Sequence, residues 1–330
     1  MDESVNILLI RLKSMGDVIL TLPAVNLVRD HFPSAKITFF TLKQNAALLR
    51  GFRAVDEVIA LDRAALRNPL SAPREMARLL ARLRAGRFTL AVDFQGYGET
   101  AWLSWWSGAP ERWGSVYGPG RLWLYTRGVP RNDRLLIADW NLSLLSQCGL
   151  GIPAIRNEFV LPADALEAAR NFFAERQLNP SKRTLFIQPF TSSAQKNWPL
   201  ENYLLLAACW REQGVQVVFG GGPGDIARLQ AAGSAGYCVA AGNPLLVSAG
   251  LVKLSTVIIG GVTGLLHLAV AMRKRVIMLI GSRNEPGFPF QHRDWGITPN
   301  EGENVAGIQL PAVITECAKA FNEPADNVSC

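Results

Sequence analysis

Short apolar runs alternate with segments of helical periodicity along the whole chain. The first run, 5–11, ends in a short loop, and apolar residues then recur at helical spacing over 18–31. The segment 73–85 is Arg-rich and amphipathic, which predicts a further helix. Runs rich in β-branched and aromatic residues, typical of strands, follow at 37–42, 55–60 and 88–94. Strands that alternate with helices predict an α/β fold with parallel sheets.

The second half of the sequence repeats this alternation after a loop-like connector at 149–162, which follows a predicted helix at 135–149. The predicted strands are 184–188, 215–219, 257–259 and 276–280. The predicted helices are 163–177, 200–212, 225–232, 245–254, 264–272 and 311–321. Because 330 residues exceed what one core usually organises, we expect two doubly wound domains, 1–155 and 156–330. We expect a ligand cleft between their carboxyl strand edges, and the closing helix is a candidate to pack back on the first domain.

Composition indicates a globular protein in a reducing compartment. Apolar residues make up 49% of the chain and charged residues 18%. No long uncharged apolar run is present, so we expect neither a signal peptide nor a membrane span. The cysteines are widely spaced without a C-x-x-C pair, which argues against disulfides and a zinc site and favours the cytoplasm. They are Cys148, Cys209, Cys238, Cys317 and Cys330.

The net charge of +7 is concentrated in the first half of the chain. Residues 1–150 hold 19 basic and 13 acidic side chains, against 15 and 14 in the remainder. Such a basic surface suits nucleic acid, anionic lipid headgroups or an acidic substrate, and a merely solvated surface is an equal alternative. The basic residues are scattered among helices and no nucleic-acid-binding module is present, so nucleic acid is the weakest candidate partner.

The loop after the first strand contains the first candidate for chemistry. Gly16 allows backbone to approach a ligand, and Asp17 opens the following helix. Asp17 is a candidate general base for a hydroxyl that needs only late proton removal. It is equally well explained as a helix cap, and the two roles are compatible.

Two loops of the second half offer groups for a nucleotide. In the loop 188–199, hydroxyls at Thr191 and Ser192 and the amine of Lys196 suit a phosphate, although a solvated lysine is the simpler interpretation. The glycine-rich turn 220–224 precedes Asp225, which is a candidate to accept from ribose hydroxyls. A glycine-rich turn alone is weak evidence.

A third loop joins a buried strand to a helix at 260–268. Backbone amides of Thr263, Gly264 and Leu265 would form an anion nest suited to a pyrophosphate. His267 lies on the first turn of that apolar helix, where a structural histidine is the commoner case. The sequence has no Asp-x-Asp and its three histidines are far apart, so it predicts no metal site and no cofactor.

A tryptophan-rich and arginine-rich stretch lies within 102–134. Its aromatic members are Trp102, Trp105, Trp106, Trp113 and Trp123, and its basic members are Arg112, Arg121, Arg127, Arg131 and Arg134. Aromatic rings beside arginines suit the sugars and phosphates of a glycolipid. Buried packing with peripheral charges explains the pattern equally well.

Ordered motifs along most of the chain resemble glycosyltransferase family 9, the lipopolysaccharide heptosyltransferases. The match begins with 7–18, Thr21–Ala24 and Phe32–Pro33. It continues with Asp93–Gly96, Ser107–Ala109, Lys196–Pro199, Thr263–Leu265 with His267–Ala269, and Pro286. The order of several motifs is specific, whereas any one of them alone is not.

The resemblance implies a GT-B fold, with an acceptor bound by the first domain and an ADP-heptose donor bound by the second. It assigns Asp17 as the base, Lys196 to the donor phosphates or the acceptor, the Thr263–Leu265 segment to the diphosphate and Asp225 to the nucleoside. The further donor-binding candidates are Thr191, Ser192 and His267. The acceptor-binding candidates are Lys13, Ser14, Gly16, Gln95 and Arg112.

One position departs from the family pattern. An aspartate directed at donor sugar hydroxyls usually precedes the T-G-L segment, and this chain has Val262 there. Losing such a polar anchor weakens sugar binding by about 1–3 kcal/mol. A changed donor sugar and a loss of activity are therefore both open.

The sequence thus predicts an inverting, metal-independent glycosyltransferase that transfers a heptose from an ADP-sugar to a lipopolysaccharide-type acceptor. We expect it in the cytoplasm, with peripheral contact at the inner membrane and no nucleic acid partner. The alternatives are a related enzyme with another donor sugar, an epimerase of the same fold, and a non-catalytic descendant that binds nucleotide or glycolipid.

Overall fold

The apolar runs of the sequence form two six-stranded parallel sheets. The computed structural model describes residues 5–282, 285 and 287–322. The chain divides into two compact units, Met1–Glu158 and Phe159–Cys330. The predicted α/β class, with a doubly wound sheet in each half, is confirmed.

In the first unit the strand order is β3-β2-β1-β4-β5-β6. The strands are β1 (Asn6–Ile10), β2 (Lys36–Leu42), β3 (Glu57–Leu61), β4 (Leu90–Asp93), β5 (Glu111–Val116) and β6 (Arg127–Pro130). The helices are α1 (Met15–Ile19), α2 (Leu22–His31), α3 (Arg63–Arg67), α4 (Ala72–Ala85), α5 (Gly98–Trp106) and α6 (Ile137–Gln147). Leu8 and Phe40 pack against Leu79 and Leu83 of α4, so the apolar face of the Arg-rich helix covers one side of the sheet.

In the second unit the strand order is β12-β11-β10-β7-β8-β9. The strands are β7 (Thr184–Gln188), β8 (Gln216–Gly221), β9 (Cys238–Ala241), β10 (Val257–Gly261), β11 (Arg275–Leu279) and β12 (Gly296–Ile297). The helices are α7 (Ala163–Glu175), α8 (Leu200–Glu212), α9 (Gln230–Ser234), α10 (Leu245–Leu254), α11 (Gly264–Ala271) and α12 (Leu310–Asn322). The closing helix α12 packs within this unit, where Val313 and Cys317 join Ile187 and Ile259 in one buried cluster.

The first helix is interrupted, whereas the periodicity over 18–31 predicted one continuous helix. It runs as α1 and α2, with the break at Leu20 and Thr21. Pro23 explains the break, because its ring would clash with the carbonyl of Ile19 one turn earlier in a continuous helix. Thr21 stabilises the junction by donating from its hydroxyl to the carbonyl of Asp17, 2.8 Å away.

The Trp- and Gly-rich stretch contains regular structure that the pattern did not predict, namely α5, β5, β6 and a 3-10 helix at Pro119–Leu124. A glycine inside a strand usually weakens it. At Gly114 in β5, however, a Cβ would lie 2.1 Å from the ring of Tyr125, so the absent side chain makes room for that ring.

The segment after β8 also differs from the predicted helix 225–232. It forms two single 3-10 turns, Pro223–Asp225 and Ala227–Leu229, before the short helix α9 and the unpredicted strand β9. Across the described ranges, no helix is both long and apolar enough to cross a membrane.

Candidate functional site

The candidate residues follow the central strands of each sheet, at the point where the strand order reverses. β1 pairs with β2 on one side and with β4 on the other, and β7 is likewise placed between β8 and β10. In doubly wound sheets, ligands bind outside the carboxyl ends of the two strands at this switch point. Asp17 lies in the first turn of α1, just after β1, and Gln95 follows β4. The loops after β7 and β10 carry Lys196 and Thr263.

Asp17 is held by two donors on one oxygen. Its Oδ2 accepts from the backbone N–H of Ser14 at 2.9 Å and lies 3.0 Å from the Arg11 guanidinium. The Arg11 side chain is buried, and it also donates to the carbonyl of Phe94 at the end of β4. A partly exposed carboxylate is thereby fixed beside the switch point through one of its two oxygens, Oδ2.

Gln95 joins the two loops of the first unit. Its side-chain oxygen accepts from the backbone N–H of Lys13 at 3.1 Å. The Lys13 ammonium lies 5.5 Å from the centre of the Tyr97 ring, a cation–π distance. The structure therefore brings together Lys13, Ser14, Gly16, Asp17 and Gln95.

A buried carboxylate at the end of β4 stabilises the loop that follows this strand. Asp93 is fully buried and its Oδ1 accepts from the backbone N–H groups of Gln95 and Gly96. Its Oδ2 accepts from the Tyr125 hydroxyl at 2.7 Å. Burial raises the pKa of Asp93 above its ordinary value, and its hydrogen-bond donors act in the opposite direction. The pKa of Tyr125 is raised by burial and by the neighbouring carboxyl.

Arg112 is not part of this group. It lies near the start of β5, opposite Ala91, whereas Asp17 and Gln95 follow the ends of their strands. Its guanidinium donates to the carbonyls of Ala109 and Leu124. Because the strands are parallel, a residue that begins one strand and a residue that follows another lie at opposite edges of the sheet.

In the second unit the loops after β7 and β10 contact each other closely. A Cβ at Gly261 would lie 2.5 Å from the Thr191 methyl group and 3.1 Å from the carbonyl oxygen of Lys196. The Thr191 amide donates to the Asn197 side chain at 2.8 Å, and its hydroxyl donates to the carbonyl of Ser193. Ser192 is exposed at the tip of this loop.

Lys196 pairs with a carboxylate from the loop after β11. Its ammonium donates to Glu285, whose side chain is only 13% exposed while that of Lys196 is 49% exposed. The pairing fixes the amine at the carboxyl edge of the sheet, where a phosphate would compete with Glu285 for it.

The helix α11 presents its N-terminus at the same edge. Thr263 caps it weakly, with its hydroxyl 3.4 Å from the amide of Leu266, and the amides of Gly264 and Leu265 belong to the first turn, which lacks intrahelical acceptors. His267 is buried, and its backbone N–H donates to the carbonyl of Thr263 at 3.2 Å. Together with Lys196, this helix N-terminus favours an anionic group.

Val262 lies against the loop after β11. A Cβ at Gly287 would be 2.7 Å from its Cγ1 and 3.7 Å from Nε2 of His267. The position usually held by aspartate in the family is thus occupied by an apolar side chain in close contact with backbone. Pro286, which contributed to the sequence resemblance, lies outside the described residues.

Asp225 is tied to its own turn. Its Oδ2 accepts from the amide of Gly222 at 2.9 Å and its Oδ1 pairs with Arg228 at 3.0 Å. The Arg228 guanidinium lies 3.6 Å from the centre of the Phe190 ring, so this turn is linked to the loop after β7. Asp225 therefore lies beside the Lys196 loop, at the end of the adjacent strand.

Sequence reasoning missed Arg11, Glu285 and Arg228, the three partners that orient the candidate carboxylates and the lysine. Arg11 carried a signal, because a charged residue directly after a buried strand lies at the carboxyl edge of a parallel sheet. No sequence pattern indicated Glu285 as a partner, since 89 residues separate it from Lys196. Within the described ranges, no group of three His, Cys, Asp or Glu side chains is arranged to hold a metal ion.

Comparisons with known proteins concern the family and the fold. The model of glycosyltransferase family 9 (heptosyltransferase) matches residues 76–305. A family 9 glycosyl transferase structure from Veillonella parvula is similar with a TM-score of 0.86 and 20% identity, covering 97% of this chain and 98% of that one. The structure of E. coli ADP-heptose LPS heptosyltransferase II is similar with a TM-score of 0.79 and 20% identity, covering 96% of this chain and 98% of that one.

A third similar structure is the E. coli heptosyltransferase WaaC with ADP, with a TM-score of 0.76 and 19% identity over 96% of this chain and 100% of that one. A search of curated proteins found no significant match. At these identities the structures establish the fold, two Rossmann-like units of the GT-B type. Because the family model covers more than two thirds of the sequence, the chain belongs to glycosyltransferase family 9, the heptosyltransferase family.

Proposed function

We propose that this protein is an inverting glycosyltransferase that moves a heptose from ADP-heptose to a glycolipid acceptor of the lipopolysaccharide-core type. The observation that carries the proposal is the orientation of Asp17 by Arg11 at the switch point of the first sheet. We further propose that it acts in the cytoplasm, peripheral to the inner membrane, because such an acceptor is a membrane lipid.

Asp17 acts as the general base. Both of its contacts fall on Oδ2, so Oδ1 takes the proton of the acceptor hydroxyl as that oxygen attacks the anomeric carbon. Attack from the face opposite the nucleotide breaks the bond to the diphosphate and inverts the centre. Lys13, Ser14, Gly16 and Gln95 are the acceptor-side groups gathered around the base.

The second unit binds the donor and stabilises the departing diphosphate. Lys196 and the first-turn amides of Gly264 and Leu265 supply positive charge and hydrogen bonds in the place that a metal ion takes in other transferases. Support comes from similar structures that contain ADP and ADP-2-deoxy-2-fluoro heptose. Thr191 and Ser192 extend this phosphate-binding group, and Asp225 accepts from the nucleoside.

The test is ADP release from ADP-heptose, with and without a deep-truncated lipopolysaccharide acceptor, in the presence of EDTA. Asp17→Asn should lower kcat by about 10²–10⁴-fold, the usual contribution of a general base, and change ADP affinity less than about threefold. Asp56→Asn is the matched control, since Asp56 also accepts on Oδ2 from a backbone amide and an arginine. The anomeric configuration of the product, read by NMR, tests inversion.

Full activity of Asp17→Asn would overturn the base assignment, and loss of wild-type activity in EDTA would overturn metal independence. Val262 favours a second candidate, a nucleotide- or glycolipid-binding protein without turnover, because valine cannot accept from a donor sugar. ADP binding without release from any ADP-sugar would support that candidate.

A further inference from the structure

The first unit exposes a tryptophan face. It consists of Trp102, Trp105 and Trp106 on one side of α5 and Trp123 in the adjacent 3-10 helix, each between 41% and 59% exposed. Trp102 contacts Trp105 and Trp123 edge to face, with ring centres 5.6 and 5.3 Å apart. Four neighbouring exposed indoles form an apolar patch of the kind that marks an interaction surface.

An arginine-lined cavity adjoins this face at the amino edge of the sheet. Trp105 forms part of its wall together with Arg84, Arg87 and Arg112, and its volume is about 840 Å³. None of the described residues that line it carries a carboxylate. The Ser107–Ala109 motif, which the proposed reaction does not use, forms its rim, and Gly108 at φ +77° lets the Arg84 guanidinium pass above it.

We propose that the tryptophan face and its arginine-lined cavity dock the protein on a bilayer that contains anionic lipids. Indole rings partition to the interface between headgroups and acyl chains, and arginines are attracted to anionic headgroups. The cavity accommodates the headgroup phosphate, while the face enters the interface. A second copy of this chain is a poorer occupant, because a two-fold interface would bring the same arginines of both copies together.

The position of α5 connects this surface to the proposed reaction. The helix begins at Gly98, three residues after Gln95, and its nine residues span about 14 Å. Docking through α5 thus holds the loop of Asp17 within about one helix length of the lipid surface. This consequence, unlike the docking itself, rests on the proposed function.

The experiment is sedimentation with vesicles of phosphatidylcholine, with and without phosphatidylglycerol, at low and high salt. The wild type should bind the anionic vesicles, and added salt should weaken that binding. Trp123→Gln should weaken it about tenfold through lost apolar burial, and Arg87→Glu at least fivefold through lost attraction. Leu205→Gln and Arg170→Glu, which change an exposed leucine and an exposed arginine of the second unit, are the matched controls.

Equal sedimentation of the wild type, Trp123→Gln and Arg87→Glu, or equal binding to neutral and anionic vesicles, would overturn the docking proposal. Concentration-dependent self-association abolished by Trp123→Gln would overturn it in favour of a second copy. Turnover of a water-soluble acceptor should be unchanged in Trp123→Gln and in Arg87→Glu. Absence of that turnover in the wild type would count against the proposed function alone, since vesicle binding is measured without substrate.

Discussion

The buried guanidinium of Arg11 joins the ends of two neighbouring strands to the carboxylate of Asp17. One of its nitrogens donates to the carbonyl of Phe94 after β4, and another lies 3.0 Å from Asp17 Oδ2. Because Arg11 itself ends the apolar run of β1, a single side chain fixes the candidate base to both strands of the switch point. Arg11 is a positioning residue in this arrangement, since its contacts are to protein groups.

Replacing Arg11 should therefore affect turnover more than binding. A lysine keeps the charge but cannot direct separate N–H groups at both Phe94 and Asp17. We expect Arg11→Lys to lower kcat about 10–100-fold, as a misplacement of about 1 Å does, with ADP affinity nearly unchanged. Steady-state kinetics and ADP titration measure the two effects.

The control for this variant is Arg29→Lys. Arg29 also pairs with an aspartate, Asp56, and donates to backbone carbonyls of the same unit. The Arg29→Lys variant should be less stable than the wild type without a matching loss of kcat. A similar fall in kcat for both variants would show that Arg11 acts only through general stability.

Lys196 should contribute mainly to donor binding. Its amine forms a charge-assisted hydrogen bond, so Lys196→Met should weaken ADP binding by about 1.5–3 kcal/mol, roughly 10–100-fold. Glu285→Gln should instead strengthen ADP binding or leave it unchanged, because it removes the competitor for the amine. Lys182→Met, an exposed lysine before β7, is the control in the same calorimetric titration.

Val262 should make the protein indifferent to the sugar of the donor. In the wild type we expect ADP and ADP-heptose to bind with affinities within about tenfold of each other, since valine forms no hydrogen bond to a hydroxyl. Val262→Asp should increase the preference for ADP-heptose about tenfold or more. Val262→Thr, which keeps the shape and therefore the contact with Gly287, is the control for added polarity without a carboxylate. An unchanged preference in Val262→Asp would show that this position faces no sugar.

The Asp93–Tyr125 pair should be a structural requirement of the first unit. Tyr125→Phe leaves the buried carboxyl without its 2.7 Å hydroxyl donor while keeping the ring that fills the space at Gly114. We expect a loss of about 1–3 kcal/mol in the free energy of unfolding, measured by urea denaturation. Asp93→Asn should lower the free energy of unfolding less in the Tyr125→Phe background than in the wild type, because the effects of changing two interacting residues are not additive.

Local pattern in the sequence predicts a large part of this molecule. The buried strands β1, β7 and β10 are continuous apolar runs, and the polar residues that follow them must lie at one edge of each parallel sheet. This reasoning identifies Asp17, Lys196 and Thr263. The helix break at Thr21 has a local signal as well, in Pro23, but the helical periodicity on both sides obscures it.

What pattern does not predict depends on contacts between distant residues. The Tyr125 ring occupies the side-chain space of Gly114 in β5, and hydrophobic periodicity does not reveal that contact although both residues lie in the same stretch. The partner of Lys196 is likewise 89 residues away. The tryptophan- and arginine-rich stretch makes Arg112 a candidate for the acceptor site, whereas the strand register places it at the opposite edge of the sheet from Asp17.

Lys274 provides a test of stability that is independent of the reaction. It lies between α11 and β11, where burial, assisted by the nearby charge of Lys253, lowers its pKa from the ordinary 10.5 to about 8. Between these values the unfolded chain binds more protons than the folded one, so stability rises as pH increases from about 8 to 10.5. Below pH 8 the folded protein is destabilised by the full free-energy cost of partly burying the charged ammonium.

Lys274→Met should therefore stabilise the protein at pH 7, by about 1–2 kcal/mol after allowance for the partial exposure of the amine. The gain should shrink above pH 8 and disappear near pH 10.5, where the wild-type lysine is neutral in both states. Urea unfolding of the two proteins at pH 7 and pH 10 measures it, with Lys182→Met as an exposed control that should show no such dependence. A constant difference at both pH values would mean that packing of the methionine, and not relief of a buried charge, explains the change.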